Sequence, residues 1–178
     1  IESSAALQIQ EKIEAAKTAG DSLGAVIGFE ALGVPAGWGD PIYEKLEAKL
    51  ASAMLSIPAT KGFEMGEGFQ AAVMAGSVHN DIFALENGKV VTKTNHSGGT
   101  LGGISTGMPL QGRVAFKPTS SIAKTQDSLS LDKMASTFTL PEGSRHDPCV
   151  ALRAVPIVEA MLALVLADAM LLNRSSRL

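Results

Sequence analysis

Apolar residues recur at helical spacing near the amino end of the chain. Ala6, Ile9, Ile13 and Ala16 follow one another every three or four residues, which predicts a helix with one apolar face. Gly20 follows this stripe and is typical of a helix end, because glycine adopts positive φ without steric cost. The pattern therefore predicts a first helix that stops at Gly20.

A second helix is predicted to open at Asp40 and Pro41. An aspartate can cap the free N–H groups of a first helical turn, and a proline in that turn needs no N–H partner. The apolar stripe that is expected to pack this helix into the core consists of Ile42, Leu46, Leu50, Met54 and Ile57.

The last element spans residues 151–172, and residues 157–172 of it are apolar on almost every side. Pro156 is expected to kink or restart it. Its length and apolar character would suit a membrane span, but Glu159 and Asp168 lie inside it and no second span accompanies it. We therefore predict a buried helix in the core of a soluble protein, with no membrane partner.

Between the helices, shorter patterns predict strands. Asn87 and Gly88 separate residues 81–85 from residues 89–94, and this pair is a strong hairpin signal because both residues tolerate positive φ. The wider stretch from Lys61 to Thr94 has a strand-like composition. Further strands are predicted at residues 23–30, 112–117 and 134–140, and a glycine-rich loop at residues 33–39.

Composition and charge limit the classes of function. Hydrophobic residues make up 46% of the 178 residues and charged residues 19%, as in packed globular proteins. Aromatic residues make up only 4% and the formal net charge is -3. We therefore expect no nucleic-acid partner, because the chain has no basic field and few rings on which bases could stack. Any anionic ligand would need a local cluster of positive side chains.

Cysteine and histidine usage limits the chemistry further. Cys149 is the only cysteine, so the chain has no internal disulfide and we expect a reducing, cytoplasmic compartment. His79, His96 and His146 are scattered along the sequence, and His146 with Cys149 supplies too few ligands for a closed zinc site. No metal site is predicted.

Two segments carry groups that suit an anionic ligand. Residues 95–107 contain two glycine pairs, so their N–H groups can approach a ligand closely, although a flexible connector explains the run equally well. In residues 117–121 a strand delivers Lys117, a proline stiffens the turn, and three hydroxyls follow. Taken alone, this second segment is also explained as a strand end with a solvated lysine.

The third candidate segment is residues 143–149, Gly-Ser-Arg-His-Asp-Pro-Cys. Its Asp-Pro pair is expected to mark the amino end of the final helix, where the helix dipole and free N–H groups attract anions. Arg145 adds a planar cation that suits phosphate or carboxylate. Asp147 is equally explained as a simple helix cap, and for His146 a structural, hydrogen-bonded role is preferred to a catalytic one.

Seven segments occur in a characteristic order along the chain. They are residues 21–25 (Asp-Ser-Leu-Gly-Ala), 33–37 (Gly-Val-Pro-Ala-Gly), 61–66 (Lys-Gly-Phe-Glu-Met-Gly), 76–77 (Gly-Ser), 95–107, 117–121 and 145–149. This series resembles the chorismate synthase family, from about Asp21 to the end of the chain. The final Arg-His-Asp-Pro-Cys segment is the most specific part of the resemblance.

The resemblance implies a lyase of the shikimate pathway, which serves aromatic amino acid biosynthesis. Members convert 5-enolpyruvylshikimate 3-phosphate to chorismate by 1,4-anti elimination of phosphate, and they require reduced FMN. The implied fold is α+β, a β-α-β sandwich of antiparallel sheet on long helices, with residues 1–178 as the carboxyl-terminal portion of one domain. The implied assembly is a homotetramer. It is left open whether the protein reduces its own flavin, with NADP as the accompanying nucleotide.

The resemblance also implies roles for individual residues. Pro58 and Ala59 would contact FMN through the main chain, and Gly102 would let its loop approach the cofactor. Arg145 would contact the flavin or the substrate phosphate, and Asp147, the expected catalytic residue, would lie near flavin N5 and help manage its protonation. Position 58 is a proline where members commonly have asparagine, so only a main-chain contact would survive there. The flavin-binding turn would consist of Lys117, Pro118, Thr119, Ser120 and Ser121.

Features that the family carries in its amino-terminal half are not found before Asp21. They are a Ser-His-Gly segment, an arginine-rich substrate segment and two proton-donating histidines. The chain also starts at Ile1, with neither a methionine nor a signal peptide. We therefore expect a longer gene product, and a chain that is inactive on its own. The alternative is a non-catalytic module that binds FMN or mediates oligomerisation.

Overall fold

The computed structural model describes residues 3–176. The expectation of a longer gene product rests partly on Ile1, which lies outside the described residues. The chain forms two compact units. Unit 1 comprises the residues up to Ala25 together with Phe116–Leu152, and unit 2 comprises Val26–Ala115 together with the residues from Arg153 onward. In chain order the elements are α1 (Ser3–Thr18), β1 (Ala25–Ala31), α2 (Leu46–Leu55), β2 (Thr60–Met65), a 3₁₀ helix (Gly68–Val73), α3 (Gly76–His79), β3 (Phe83–Glu86), β4 (Lys89–Thr92), β5 (Thr100–Leu101), β6 (Ile104–Ser105), β7 (Leu110–Phe116), β8 (Gln126–Leu129), β9 (Ala135–Phe138) and α4 (Ala151–Ser175).

Unit 1 contains α1 and the β8–β9 hairpin. α1 ends where the sequence predicts, since Gly20 follows its last turn with φ = +65°. β8 and β9 pair antiparallel, with Gln126 opposite Phe138 and Leu129 opposite Ala135. The strand predicted at residues 134–140 is confirmed. Its partner β8 escapes prediction because this hairpin is exposed almost throughout and so shows no alternation of apolar and polar residues.

A three-stranded sheet of order β1-β7-β2 belongs to unit 2. On β1 the buried residues Ile27 and Phe29 alternate with exposed neighbours, and on β7 every second residue is buried, among them Leu110 and Val114. The apolar stripe predicted for the second helix is confirmed in part. Within α2 it supplies three side chains with no exposed surface, Leu46, Leu50 and Met54, and Ile57 just after the helix is also buried.

Two further hairpins belong to unit 2. β3 and β4 pair antiparallel around Asn87 and Gly88, whose φ angles of +52° and +77° confirm the predicted turn. β5 and β6 pair antiparallel around Gly102 and Gly103, which also have positive φ. The prediction of strand structure from Lys61 to Thr94 holds only for β2, β3 and β4, because the 3₁₀ helix and α3 lie between them.

The predicted start of the second helix at Asp40 is wrong. Ile42 has φ = +69°, which an α-helix does not accommodate, and its side chain is 70% exposed. The helix begins at Leu46, whose N–H donates to the main-chain oxygen of Gly103 at 2.9 Å. A main-chain acceptor from a distant hairpin therefore takes the place of the expected aspartate cap.

α4 is only partly buried, which corrects the prediction of a fully packed helix. It continues through Pro156 without restarting. Only 17% of its most apolar stretch is buried, and among residues 3–176 it is the one helix whose length and composition would suit a membrane span. A helix that is apolar all round needs neighbours on every side, and this chain packs one side of it. The buried side chains are Ala151, Ala154, Val158, Leu162 and Ala169.

Candidate functional site

Two of the three predicted segments meet in unit 1. The hydroxyl of Thr119 donates to the main-chain oxygen of Asp147 at 3.0 Å. The Nδ1 atom of His146 lies 2.8 Å from the main-chain oxygen of Ser121. Residues 117–121 and 145–149 therefore belong to one arrangement, although the whole β8–β9 hairpin separates them in the sequence.

A third segment, residues 21–23, belongs to the same arrangement, and sequence analysis assigns it no role. Its contacts run from the Ser22 hydroxyl to the Thr119 oxygen (2.7 Å), from the Leu23 N–H to the Pro148 oxygen (2.7 Å), and between His146 Nε2 and the Asp21 oxygen (2.9 Å). The signal available in the sequence is an Asp-Ser pair between a helix end and a strand, where short polar side chains commonly bind main chain.

Gly24 lets the chain pack closely against the turn of residues 117–121. A methyl group placed on Gly24 would lie 2.6 Å from the main-chain oxygen of Phe116 and 3.1 Å from Cδ of Pro118. The first distance is shorter than side-chain carbon atoms normally reach, so a larger residue would displace the turn. The absence of a side chain at position 24 thus helps to set the place of Lys117.

The cations of this arrangement divide into one paired group and two open ones. Lys124 Nζ donates to Asp21 Oδ2 at 2.6 Å, and this hydrogen bond, followed by that from the Ser22 N–H, holds the pKa of the Asp21 carboxyl below its ordinary value of 3.8. Lys117 is exposed and has only a 3.4 Å contact with a main-chain oxygen of its own turn. Arg145 is exposed and forms no ion pair within the described residues. Lys117 and Arg145 can therefore bind an anion such as a phosphate group.

Asp147 does not cap α4, which corrects its predicted place at the helix start. α4 begins only at Ala151, and Asp147 Oδ1 accepts from the N–H of Cys149 at 3.2 Å in the turn before it. The carbonyl of Pro148 accepts the N–H of Leu23, so it serves a tertiary contact and not the first turn of the helix. The Asp147 carboxylate is half-buried, whereas the Cys149 thiol is buried.

The other expected cofactor residues lie in unit 2, on two separate turns. Pro58 is exposed and Ala59 has φ = +71°, in the turn between α2 and β2. Gly102 lies in the turn between β5 and β6 with φ = +61°, and a methyl group placed there would meet nothing within 4 Å. Of the residues predicted for the site, the structure thus brings together residues 117–121, Arg145 and Asp147.

The glycine-rich run of residues 95–107 is tied down at its start by Asp81. This carboxylate accepts from the Thr94 hydroxyl at 2.7 Å and from the N–H groups of His96 at 2.8 Å and Ser97 at 2.9 Å. Burial raises the pKa of Asp81, but the hydrogen bonds together outweigh burial and lower it below 3.8. The start of the run is therefore an ordered loop and not a loose connector.

The remaining histidines lie in unit 2. The rings of His79 and His96 have centroids 5.9 Å apart, and His96 Nδ1 lies 3.0 Å from Glu67 Oε1. Within residues 3–176, no three metal-ligating side chains of His, Cys, Asp or Glu are grouped together.

Comparison with known proteins relates most of the chain to one family. The family model described as chorismate synthase matches residues 1–171. A chorismate synthase of Protochlamydia amoebophila (strain UWE25) is 57% identical over 176 residues, which are 99% of this chain and 48% of that protein. One from Opitutus terrae is 54% identical over 158 residues, which are 89% of this chain and 43% of that protein.

Solved structures agree with the sequence relatives. A structure described as a crystal structure of chorismate synthase matches with a TM-score of 0.74 at 35% identity, over 92% of this chain and 42% of that one. This match confirms the predicted α+β fold class. The chain spans less than half the length of each of these relatives. The matched region also begins at residue 1, earlier than the Asp21 at which the sequence resemblance starts.

Proposed function

The chain belongs to the chorismate synthase family, and from this premise we propose that it forms the flavin-binding part of a chorismate synthase active site. The complete site would convert 5-enolpyruvylshikimate 3-phosphate to chorismate by 1,4-anti elimination, in which phosphate and a proton leave the substrate. Because the chain spans 48% of the Protochlamydia relative, this activity is proposed for the whole protein.

The observation that best supports the proposal is the joining of three segments beside two open cations. Hydrogen bonds of Thr119 and His146 tie the turn of residues 117–121 to the loop before α4. Lys117 lies two residues before Thr119 in the sequence, and Arg145 directly precedes His146. FMN and the substrate each carry a phosphate. A guanidinium and an ammonium with neighbouring hydroxyls form a donor set that fits such a group.

Each residue would then have a distinct task. Residues 117–121 would hold FMN with hydroxyl and main-chain groups, and Arg145 would bind the flavin or the substrate phosphate. The Pro58–Ala59 turn would add main-chain contacts, and Gly102 would leave room for the cofactor beside its turn. The half-buried Asp147 carboxylate would hold or exchange a proton at flavin N5. Reduced FMN, when bound, supplies an electron transiently, so that phosphate leaves without net oxidation of the substrate.

We further propose that the whole protein is a cytoplasmic homotetramer. The apolar side chains exposed on α4, such as Leu152 at 58% and Leu164 at 65%, support contact with further protein surface. The same observation favours the second candidate function, a non-catalytic module for FMN binding or assembly. Turnover separates the two candidates.

Titration with FMN tests the binding part of the proposal. Oxidised FMN added to the 178-residue chain should show a shifted flavin absorption spectrum. Arg145→Ala should weaken the binding about tenfold through loss of a charged hydrogen bond. Arg174→Ala removes an exposed arginine at the end of α4 and should leave the affinity unchanged. A titration of the wild-type chain without any spectral shift would contradict the flavin site.

Turnover tests the catalytic part. A chimera would join this chain to the part of the Protochlamydia amoebophila relative that it does not match. With reduced FMN, the chimera should release phosphate from 5-enolpyruvylshikimate 3-phosphate, and the chain alone should not. The reason is that proton donors of the kind expected in the amino-terminal half of the family typically each contribute roughly 10²–10⁴-fold to the rate. Turnover by the chain alone would refute this part, and a folded, FMN-binding but inactive chimera would favour the non-catalytic module.

A further inference from the structure

The side chain of His146 contacts both of the other segments in the unit 1 arrangement. Its Nδ1 atom lies 2.8 Å from the main-chain oxygen of Ser121, and its Nε2 atom lies 2.9 Å from that of Asp21. His146 is also the residue between Arg145 and Asp147 in the chain. A ring that is held at both nitrogens therefore restrains the two neighbours that carry the charged groups.

The partners of the ring decide which form of histidine fits. A carbonyl oxygen can only accept a hydrogen bond. Neutral imidazole has one N–H and one bare nitrogen, so in that form one carbonyl would face a lone pair at less than 3 Å. The doubly protonated ring carries an N–H on each nitrogen and donates to both carbonyls. The contacts of His146 therefore favour the cation.

We infer that His146, in its doubly protonated form, is a positioning residue. Its two N–H groups hold residues 145–147 against Asp21 and Ser121, which keeps the Arg145 guanidinium and the Asp147 carboxylate in place. The consequence for FMN rests on the proposed function, whereas the protonation state of the ring does not.

The carboxylate of Asp21, whose main-chain oxygen contacts the ring, is already paired with Lys124 at 2.6 Å. An anion that binds Lys117 and Arg145 would therefore gain a further positive charge from His146, and its affinity should fall when the ring loses a proton. The titratable and charged side chains on the segments around the ring are Asp21, Lys117, Lys124, Glu142, Arg145, Asp147 and Cys149.

Nitrogen NMR on the wild-type 178-residue chain measures the protonation state directly. Near neutral pH, both ring nitrogens of His146 should resonate at positions typical of protonated nitrogen. The chain has three histidines, so His79→Gln and His96→Gln variants suffice to assign the signals. A bare ring nitrogen on His146 in the folded chain near neutral pH would overturn the inference, whether or not FMN binds.

The pH dependence of FMN affinity tests the positioning role. FMN is titrated at one pH where the NMR signals show both ring nitrogens of His146 protonated and at a higher pH where they show one bare nitrogen. The dissociation constant of wild type should be about tenfold larger at the second pH. His146→Gln should bind about tenfold more weakly than wild type at the first pH and lose this step. His79→Gln, in α3 of unit 2, is the matched control and should keep the wild-type profile. Titration of the phosphate of FMN itself contributes equally to all three proteins.

The outcomes separate this inference from the proposed function. An affinity that stays constant while the NMR signals show His146 losing its proton would overturn the positioning role. If NMR shows a doubly protonated His146 but the chain binds FMN at no pH, the flavin site is refuted while the inferred contacts of the ring are supported. If His146→Gln fails to fold, the wild-type NMR and the wild-type pH profile still decide the question.

Discussion

The hydroxyl of Thr119 donates a hydrogen bond to the main-chain oxygen of Asp147 at 3.0 Å, across 28 residues of sequence. The main chain of Thr119 is held in turn, because the hydroxyl of Ser22 donates to its carbonyl oxygen at 2.7 Å. The turn after β7 and the loop before α4 are thus bound to each other. A substitution at one of these residues should therefore alter the positions of the others.

Replacing Thr119 with valine should weaken this connection. Thr119→Val keeps the shape of the side chain but removes the hydroxyl that donates to the Asp147 carbonyl. We expect a loss of about 1 kcal/mol in the free energy of unfolding and FMN binding that is several-fold weaker. Urea unfolding and FMN titration measure the two effects. Thr125→Val removes an exposed contact with Thr139 instead and should alter neither quantity; equal effects in both variants would contradict the assignment.

Adding a methyl group at Gly24 should displace the turn that carries Lys117. The new Cβ atom would lie 2.6 Å from the Phe116 oxygen, so Gly24→Ala should cost about 1–3 kcal/mol of folding free energy and weaken FMN binding as well. Thermal unfolding should show a melting temperature lowered by several degrees. Gly28→Ala is the control in β1, because a methyl group there meets nothing within 4 Å. The interpretation fails if the two variants melt at the same temperature.

The geometry of the charge at position 145 should matter as well as its sign. Arg145→Lys keeps one positive charge but loses the planar pair of donors, so FMN affinity should lie between those of wild type and Arg145→Ala. Because Arg145 is exposed, its contribution should shrink as salt is raised. Titrations at low and high salt measure this. An Arg145→Lys variant that binds like wild type would show that only the charge is used.

Acid should remove the contribution of Asp81 to stability. Its pKa is lower in the folded chain than its ordinary value of 3.8, so the folded state binds fewer protons there than the unfolded state. The stabilisation is therefore present above about pH 4 and is lost as the pH falls through the lowered pKa. Asp81→Asn places an amide NH₂ group, itself a donor, beside the three groups that donate to the carboxylate. The free energy of unfolding should therefore fall by about 1–3 kcal/mol near neutral pH, and by less in acid.

Urea unfolding at neutral and acid pH measures this dependence on Asp81. Asp132→Asn changes an exposed carboxylate in the turn between β8 and β9 and is the matched control. A difference between wild type and Asp81→Asn that does not shrink in acid would contradict the role given to the carboxylate.

Several features could be predicted from the sequence because they depend on neighbouring residues. The helix end at Gly20 and the turn at Asn87 and Gly88 follow from which residues tolerate positive φ. The core face of α2 follows from the spacing of its apolar residues. The segments 117–121 and 145–149 stand out because each collects its polar groups within five residues. The sequence by itself thus determined the local elements and the candidate ligand groups.

Tertiary structure alone decided where elements begin and which groups meet. α2 starts at Leu46 because a carbonyl from the β5–β6 hairpin accepts its N–H, and no local pattern foretells such an acceptor. α4 is largely exposed because its surroundings, and not its composition, set its burial. His146 reaches the carbonyl of Asp21 across 125 residues. The number of carbonyl oxygens around its ring depends on packing between distant segments, which local preferences do not encode.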